Sequence, residues 1–494
     1  MSNSIAIIGA GPGGLATAIR LAGQGYDVEI FEASDRAGGR MRGFKNGPYE
    51  FDTGPTILQL PRLYDQLFAE SGLNRSDYIT FKQLEPFNRV HFWDNTHIDL
   101  SSDLKAFKSE LAKFRSDLPA AFDLWYAEHD RKNELYYKSY LGSPVRSLLG
   151  YLRPREIFKA LQFRPWETLY QNFWNFFKDE RLVYALSYPA KYLGTHPTIS
   201  PSVFSLIPYL EFQDGVWHPE GGFRNLASSL ARAAKDLGVK IHLNCPVEKV
   251  WIENKSVRGL ILTNEERFQA DGVVVNADFA YAMENLIPEC DRGVYTNEKL
   301  NKMKFSCSTF MLYLGINRRY EDLPHHQIYL SEHIRRLEKP WLDDSALDEE
   351  NPSFYVCNPT IIDPSNAPKG HSTLFVLVPI PNTSFNVDWE NKQKSYRDFI
   401  VKRLSVLGYE NLENSIVTEN CYTANTWQDD YRVFRGAVFN LSHNWTQLGP
   451  FRPPIRSRNT RGLYWIGGAV HPGSGLITIL EAARSAAFFI KKDL

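Results

Sequence analysis

The residues with the clearest chemical meaning are three glycines near the start of the chain, Gly9, Gly11 and Gly14. They follow an apolar run at residues 5–8, typical of a buried parallel strand, and precede a helical pattern at residues 15–21. In such a turn one glycine permits the tight bend, the next lets a pyrophosphate approach the backbone, and the third lets the helix pack against the strand. The free N–H groups at the helix N-terminus then face the phosphates. This spacing predicts a dinucleotide-binding site.

A second strand pattern at residues 28–31 ends at Glu32, where the ribose of a dinucleotide would need a hydrogen-bond acceptor. A carboxylate there favours an unphosphorylated ribose, because it would repel a 2′-phosphate. Gly38, Gly39 and Arg40 follow and supply another close backbone approach and a cation. The alternatives are a strand-helix turn that binds no ligand and, for Arg40, an ordinary solvated surface charge.

The other end of the chain repeats this order of elements. Residues 462–468 form a strand pattern that ends in glycines, and a helical pattern occupies residues 477–491. The connecting loop offers backbone amides to a polar ligand edge such as a flavin ring or its ribityl chain. Its candidate residues are Gly467, Gly468, His471, Gly473 and Gly475. No second Gly-x-Gly-x-x-Gly follows a strand, so we expect one dinucleotide and no separate NAD(P)H site.

An aromatic stripe occupies the middle of the chain. Its rings recur at helical spacing on one predicted face: Trp166, Tyr170, Phe173, Trp174 and Phe177. An ordinary core helix would explain this spacing, but further tyrosines and phenylalanines follow directly. The density of rings favours binding of a long apolar ligand.

Composition limits the classes of partner. The 494 residues are enough for two or three domains, and a net charge of -1 without a basic stripe makes nucleic acid an unexpected partner. The five cysteines are scattered without metal-ligand spacing, so we expect a reducing compartment and no metal site. The first strand begins too early for a secretion signal, and no apolar run is long enough to span a bilayer. We therefore predict a cytoplasmic protein whose membrane contact is peripheral.

The motifs together resemble one family, the bacterial-type phytoene desaturases and related carotenoid desaturases and isomerases, within the flavin amine oxidase-like group. The resemblance extends over nearly the whole chain. The stretches at 192–197, at 215–222 and around His471 are more particular to carotenoid desaturases than the glycine motifs are. The matching stretches are residues 5–14, 32–40, 51–56, 192–197, 215–222, 275–278 and 467–475.

The resemblance implies a noncovalent FAD and a discontinuous fold. We expect an α/β, Rossmann-like FAD-binding domain from residues 1–60, 215–290 and 455–494, and an α+β substrate domain from residues 61–214 and 291–454. The substrate domain should combine a largely antiparallel sheet with a helical, membrane-facing part. The expected cofactor residues are Gly9, Gly11, Gly14, Glu32, Arg40, Gly54, Val247, Gly467, Gly468, Gly473 and Gly475.

The reaction implied by the resemblance removes two hydrogens from a C30 or C40 polyene, with hydride passing to flavin N5 and a proton to an unidentified acceptor. The acidic-basic segment Asp179, Glu180 and Arg181 and the histidines His471 and His196 are candidates for catalysis. Solvated helix charges and backbone-bonded histidines are the alternatives. The sequence departs from the family pattern at Val183, where an arginine is common, and at Ala469, where many flavoproteins carry aspartate.

The sequence thus predicts an FAD-dependent carotenoid desaturase with a quinone or oxygen as electron acceptor. A later-acting desaturase of hydroxylated or cyclic carotenoids, a carotene isomerase and an oxygenase are related alternatives. A non-catalytic isoprenoid carrier, similar in fold to the dissociation inhibitors of prenylated GTPases, is an alternative of another class. An amine or porphyrinogen oxidase would need a polar substrate contact that we do not find.

Overall fold

The sheet that carries the first glycine motif is assembled from the two ends and the middle of the chain. The computed structural model describes residues 3–137, 153–335 and 350–494. In it, strand Ser4–Ile8 pairs in parallel with Asp27–Phe31 on one side and with Gly272–Val275 on the other. Strand Leu463–Trp465 extends the sheet beyond Gly272–Val275, and Lys240–His242 closes the opposite edge. This confirms the predicted discontinuous, Rossmann-like parallel sheet.

The described strands are numbered in chain order. They are β1 Ser4–Ile8, β2 Asp27–Phe31, β3 Phe44–Asn46, β4 Tyr49–Phe51, β5 Phe81–Leu84, β6 Asn88–His91, β7 His97–Leu100, β8 Val216–Pro219, β9 Lys240–His242, β10 Val247–Glu253, β11 Ser256–Leu262, β12 Arg267–Gln269, β13 Gly272–Val275, β14 Ser308–Ile316, β15 His326–Tyr329, β16 Phe354–Cys357, β17 Ser372–Ile380, β18 Ile416–Tyr422 and β19 Leu463–Trp465.

The described α-helices are numbered in the same way. They are α1 Pro12–Ala22, α2 Pro61–Ala69, α3 Leu104–Phe114, α4 Leu118–Tyr136, α5 Pro154–Gln162, α6 Leu169–Phe177, α7 Glu180–Ser187, α8 Leu206–Asp214, α9 Gly222–Asp236, α10 Phe279–Asn285, α11 Asn297–Lys302, α12 Trp389–Val406, α13 Leu412–Ser415, α14 Ala424–Asp429 and α15 Leu476–Asp493.

Helix α1 forms where the glycine turn ends. Gly11 is its N-cap and Pro12 its first residue, a position at which proline suits the helix because that N–H would be unpaired anyway. The helix is buried along almost its whole length, and it packs against α9 and α15. The C-terminal helix and the one that follows β8 therefore both support the first glycine motif.

The second large sheet has seven strands in the order β18-β14-β17-β16-β15-β6-β7, antiparallel except where β15 pairs with β6. Its long strand β14 is buried from end to end. Phe310, Leu312 and Leu314 face one hydrophobic core and Met311 and Tyr313 the other, as the two-residue period of a strand requires. The predicted antiparallel sheet of the substrate domain is thus confirmed, while the exact domain boundaries stay a prediction.

One feature was not anticipated from the sequence, and another differs from the expectation. Strands β10, β11 and β12 form a separate three-stranded antiparallel sheet and do not join the parallel sheet. The aromatic stripe does not form one face, because Phe173 and Phe177 are buried beside Trp125 whereas Trp166 and Trp174 are exposed. Helical spacing places rings on a helix, but the neighbouring elements decide which of them are covered.

Candidate functional site

The turn after β1 leaves no room for side chains. A Cβ atom on Gly14 would lie 2.2 Å from the carbonyl oxygen of Gly9, and one on Gly11 would lie 3.0 Å from Nδ2 of Asn276. The Gly9 amide donates to the carbonyl of Phe31 (2.8 Å), which fixes the turn against the end of β2. A ligand can therefore approach the first amides of α1 directly.

Glu32 is held beside this turn. One carboxylate oxygen accepts from the Ala10 amide (2.7 Å), and the other accepts from the amide (2.9 Å) and hydroxyl (2.8 Å) of Ser34. The Cys245 amide donates to the Glu32 carbonyl (2.8 Å), so the chain that leads into buried Val247 runs alongside. The structure thus holds Glu32 against the glycine turn and brings the segment that leads into Val247 alongside Glu32.

Arg40 joins this motif to a distant part of the chain. The Gly38 amide donates to the Ala10 carbonyl (2.8 Å), and the Arg40 guanidinium donates to the Val438 carbonyl and to Oδ1 of Asn440 (3.2 Å). The Thr53 hydroxyl donates to the Arg40 carbonyl (2.7 Å). Gly54 also lies here, since a Cβ atom on it would be 2.5 Å from the Arg40 carbonyl oxygen.

Asp278 extends this hydrogen-bond network from Arg40 through Asn440. It accepts from Nδ2 of Asn440 (2.5 Å) and caps α10 by accepting from the amides of Ala280 and Tyr281 (3.1 Å each). Burial raises the pKa of Asp278, and the charge of Arg40 opposes that rise. Burial likewise lowers the pKa of Arg40, with Asp278 acting in the opposite direction.

The terminal loop packs against residues that sequence reasoning missed. The Ser474 amide donates to Nε2 of His443 (3.1 Å), and a Cβ atom on Gly473 would lie 2.9 Å from that nitrogen. Buried Arg452 donates to the carbonyls of Gly468 (2.6 Å) and Leu441 (3.1 Å). A Cβ atom on Gly468 would lie 2.3 Å from Oδ1 of Asn440. The loop is therefore also adjacent to the hydrogen-bond network of Arg40, Asn440 and Asp278.

His471 lies in this loop with its ring nitrogen Nδ1 3.2 Å from the Gly449 carbonyl. Burial lowers its pKa to about 4, so the imidazole is neutral near pH 7. This contact holds the loop, and whether His471 also acts in catalysis stays a prediction.

The other three predicted catalytic residues lie at the start of α7. Asp179 is the N-cap of that helix, accepting from the Arg181 amide (3.0 Å), and Glu180 is in the first turn. The Arg181 guanidinium bridges Asp179 and Asp94 (3.1 Å each) and lies 4.9 Å above the ring of Phe114. Capping and ion pairing account for these contacts, and a catalytic role for the three residues stays a prediction.

Residues 191–197, which include the stretch that resembles the desaturase family, lie near the terminal loop. A Cβ atom on Gly194 would lie 2.6 Å from the ring of Phe439, and the rings of Phe204 and His443 are 5.8 Å apart. Lys191 and His196 are buried in this stretch. Apolar surface therefore adjoins the loop where we expect the flavin ring.

The site residues missed by the sequence analysis are of two kinds. Asn276 and Asp278 belong to a stretch that resembles the desaturase family, and their position directly after a strand was a usable signal. Asn440, His443 and Arg452 have no local signature, since only the tertiary fold brings them to the glycine loops.

These residues fit a dinucleotide. The glycine turn presents bare amides, Glu32 presents a fixed acceptor, and buried polar atoms remain without a hydrogen-bond partner in the described chain at Nδ1 of His443 and Nε of Arg452. Buried polar atoms of this kind are rare in the absence of a ligand or ordered water.

Comparison with known proteins decides the family. A family model described as flavin containing amine oxidoreductase matches residues 12–488. The chain belongs to that family. This protein is accordingly a flavin-dependent oxidoreductase with FAD as its cofactor.

Two relatives whose names state an activity align with almost the whole length of this chain. An all-trans-zeta-carotene desaturase from Myxococcus xanthus is 47% identical over 494 residues, which cover 99% of this chain and 93% of the relative. A zeta-carotene-forming phytoene desaturase from the same organism is 36% identical over 483 residues, covering 97% and 92%. The solved structure of a putrescine oxidase variant shares the fold, with a TM-score of 0.64 at 13% identity and coverage of 100% and 98%.

We expect the substitution Glu32→Gln to weaken FAD binding about 10- to 150-fold, since a hydrogen bond to a charged acceptor is worth about 1.5–3 kcal/mol. Titration of the apoprotein with FAD, followed by flavin fluorescence, measures this change. Glu29→Gln is the matched control, because Glu29 lies on β2, which leads directly to Glu32, but pairs with Lys240 and His242 (2.7 Å each). Equal FAD affinity in both variants would contradict the assignment of Glu32.

Proposed function

We propose that this oxidoreductase is a carotenoid desaturase of carotenoid biosynthesis, which removes two hydrogens per step from an apolar, acyclic polyene. The observation that carries the proposal is the near full-length similarity to the zeta-carotene desaturase. The chain is less similar to the relative that forms zeta-carotene from phytoene. A partly desaturated polyene such as zeta-carotene is therefore the preferred substrate in this proposal.

Substrate binding rests on apolar contact, because such a polyene has no polar group. Phe204 lies beside His443, which contacts the terminal loop, and Phe439 lies beside Gly194, so both supply apolar area in this region. Burial of apolar surface contributes about 25 cal/mol per Å², so a long chain gains affinity along its whole length. The buried rings Phe173 and Phe177 of α6 belong to the hydrophobic core against which Phe204 packs.

FAD, when bound, supplies the hydride acceptor. The chain itself must accept the proton, and Lys191 is well suited to do so. Its side chain is 9% exposed, and burial lowers its pKa to about 7 while the Cys307 thiol acts in the opposite direction. A base with a pKa near the working pH combines a neutral fraction with adequate proton affinity.

An exposed apolar face on α5 supports docking at a membrane surface. Ile157, Phe158 and Leu161 are exposed on this helix, and Trp166 is exposed just beyond it. Phe158 is 67% exposed and Trp166 is 66% exposed, and basic residues flank them. Within the described part of the chain, no helix has the length and apolarity to cross a bilayer. We propose that this face lies in the membrane interface, where the polyene and a quinone acceptor dissolve, with oxygen as the alternative acceptor.

We expect co-expression with a pathway that accumulates zeta-carotene to shift the pigment to longer wavelength and to lower its mass by two hydrogens per step. Chromatography with mass detection of the extracted carotenoids measures this. A parallel strain that accumulates phytoene should give less product. Unchanged zeta-carotene with FAD bound would overturn the proposal.

The alternative functions give different products in the same experiment. An isomerase changes retention without changing mass, and an oxygenase adds oxygen. Polyene that co-purifies unchanged with flavin-free protein would indicate a carrier.

We expect Lys191→Met to lower the desaturation rate by about 10²- to 10⁴-fold, the usual contribution of a general base. The wild-type rate should fall as pH drops below about 7, because protonated Lys191 cannot accept a proton. Initial rates on substrate in liposomes, measured across this pH range, provide the test. Lys178→Met is the control, since Lys178 is an exposed lysine of the same region. Wild-type rates in Lys191→Met with a large loss in Asp179→Asn would transfer the role to Asp179.

We expect the double variant Phe158→Glu, Trp166→Glu to bind liposomes at least about tenfold more weakly, because burying one large apolar side chain is worth about 1.5–3 kcal/mol. Flotation of the holoenzyme with anionic liposomes measures the bound fraction. Val417→Glu changes an exposed valine on the edge strand β18 and should bind as the wild type does. Equal flotation of all three proteins would contradict docking through α5.

A further inference from the structure

A cluster of buried histidines and one cysteine lies in the seven-stranded sheet and has no part in the proposed reaction. His326 begins β15 and stands directly opposite Cys357, the last residue of the antiparallel strand β16. His325 precedes His326, and one potential ligand atom from each of these three residues lies within 4.8 Å of the other two. All three side chains are buried.

A third histidine reaches this cluster from another element. His218 belongs to β8, is 2% exposed, and its ring centre lies 4.9 Å from that of His325. Its Nε2 atom is 4.0 Å from a carboxylate oxygen of Asp363. The cluster therefore combines three imidazoles and a thiol, with a carboxylate behind one imidazole.

Several ring nitrogens in the cluster have no hydrogen-bond partner in the described chain. They are both nitrogens of His218 and Nε2 of His326, together with Nδ1 of His325, the ring nitrogen of that residue that does not face Cys357. Leaving a buried polar atom unpaired costs about 1–3 kcal/mol, so several in one place call for a physical explanation. A cavity of about 20 Å³ adjoins the cluster and is lined in part by His218 and Cys357.

We propose that His218, His325, His326 and Cys357 bind one zinc-like divalent cation as a structural site. Imidazole and thiolate are the ligands that zinc prefers, whereas calcium and magnesium prefer oxygen. For tetrahedral zinc with Zn–S of about 2.3 Å and Zn–N of about 2.0–2.1 Å, sulfur and nitrogen lie about 3.5 Å apart. The observed separation between Sγ of Cys357 and Nε2 of His325 is 3.6 Å. Four protein ligands would leave no open position for catalysis.

The surroundings orient the ligands in the way metal sites usually require. The Tyr355 hydroxyl lies 2.6 Å from Nδ1 of His326, which leaves Nε2 as the atom that points into the cluster. The Thr56 hydroxyl is 2.7 Å from that same Tyr355 oxygen. Burial lowers the pKa of His326 to about 3, so its imidazole is neutral near pH 7.

A cation here would connect β8 with the seven-stranded sheet. Strand β8 leads into α9, which packs against α1 of the glycine motif, while β15 and β16 belong to the seven-stranded sheet. The cysteine spacing predicts no metal site, because ligands from three separate strand ends have no local pattern. The proposed site arises only from the fold.

The test uses FAD-loaded protein that has been stripped of metal with a chelator and dialysed. Titration with Co²⁺ should give one equivalent bound and a thiolate-to-cobalt charge-transfer band, and Zn²⁺ should displace the cobalt and raise the melting temperature. Absence of the band and of stoichiometric zinc in the wild-type protein would overturn the proposal.

Single substitutions test whether the thiolate-to-cobalt band comes from the histidine and cysteine cluster. Cys357→Ser should abolish it, whereas Cys421→Ser, which changes another cysteine of the same sheet, should retain it. Tyr355→Phe should keep the band but weaken zinc binding about 10- to 100-fold, the usual effect of losing a group that orients a ligand. A band that persists in Cys357→Ser would refute the assignment.

Alkylation of the wild-type protein provides a measurement that needs no folded variant. Zinc should slow the modification of Cys357, followed by mass spectrometry of its peptide, and leave exposed Cys290 unchanged. Equal modification of Cys357 with and without zinc would contradict the proposal.

Discussion

Parallel pairing of the first strand is the constraint on which the site depends. Ile8 is in register with Phe31 on one side and with Val275 on the other, and Val275 is in register with Trp465. The carboxyl ends of these strands meet at one edge, where ligands of open α/β sheets bind. A slip of one residue would turn every side chain of a strand to the opposite face. Four strands from the beginning, the middle and the end of the chain therefore converge through one hydrogen-bond register.

Two buried arginine side chains, Arg40 and Arg452, support the loops at this edge of the sheet. Burial lowers the pKa of Arg452 to about 9, and its described hydrogen bonds are to backbone carbonyls. Arg40 has the carboxylate of Asp278 as a partner only through Asn440. A buried charge without a close counter-ion is costly, so these two arginines favour an anionic ligand in the loops they support. We expect the residues that hold the loops in place to contribute to ligand affinity as well.

The sequence predicted what is encoded locally. The strand, glycine turn, helix and acid around Gly9 and Glu32 follow from short-range patterns, and so does the terminal glycine loop. The contacts of Asn440, His443 and Arg452 depend on neighbours far away in the chain, which no local pattern specifies. The aromatic stripe shows the same limit, because spacing cannot tell that Phe173 is covered by Trp125 while Trp174 remains exposed.

The alternation along β14 determines which hydrophobic core a substitution in this strand would affect. Side chains at even positions such as Leu312 pack towards α12, whereas Met311 and Tyr313 pack towards the aromatic helical layer. Tyr313 also donates to the carbonyl of Thr53, beside the first glycine motif (2.7 Å). Because both sides of the strand are buried, a substitution at an even position would act on the core beneath α12, whereas one at an odd position would act on the core that includes the aromatic helices. One continuous strand thus carries two sets of residues that are constrained by different neighbours.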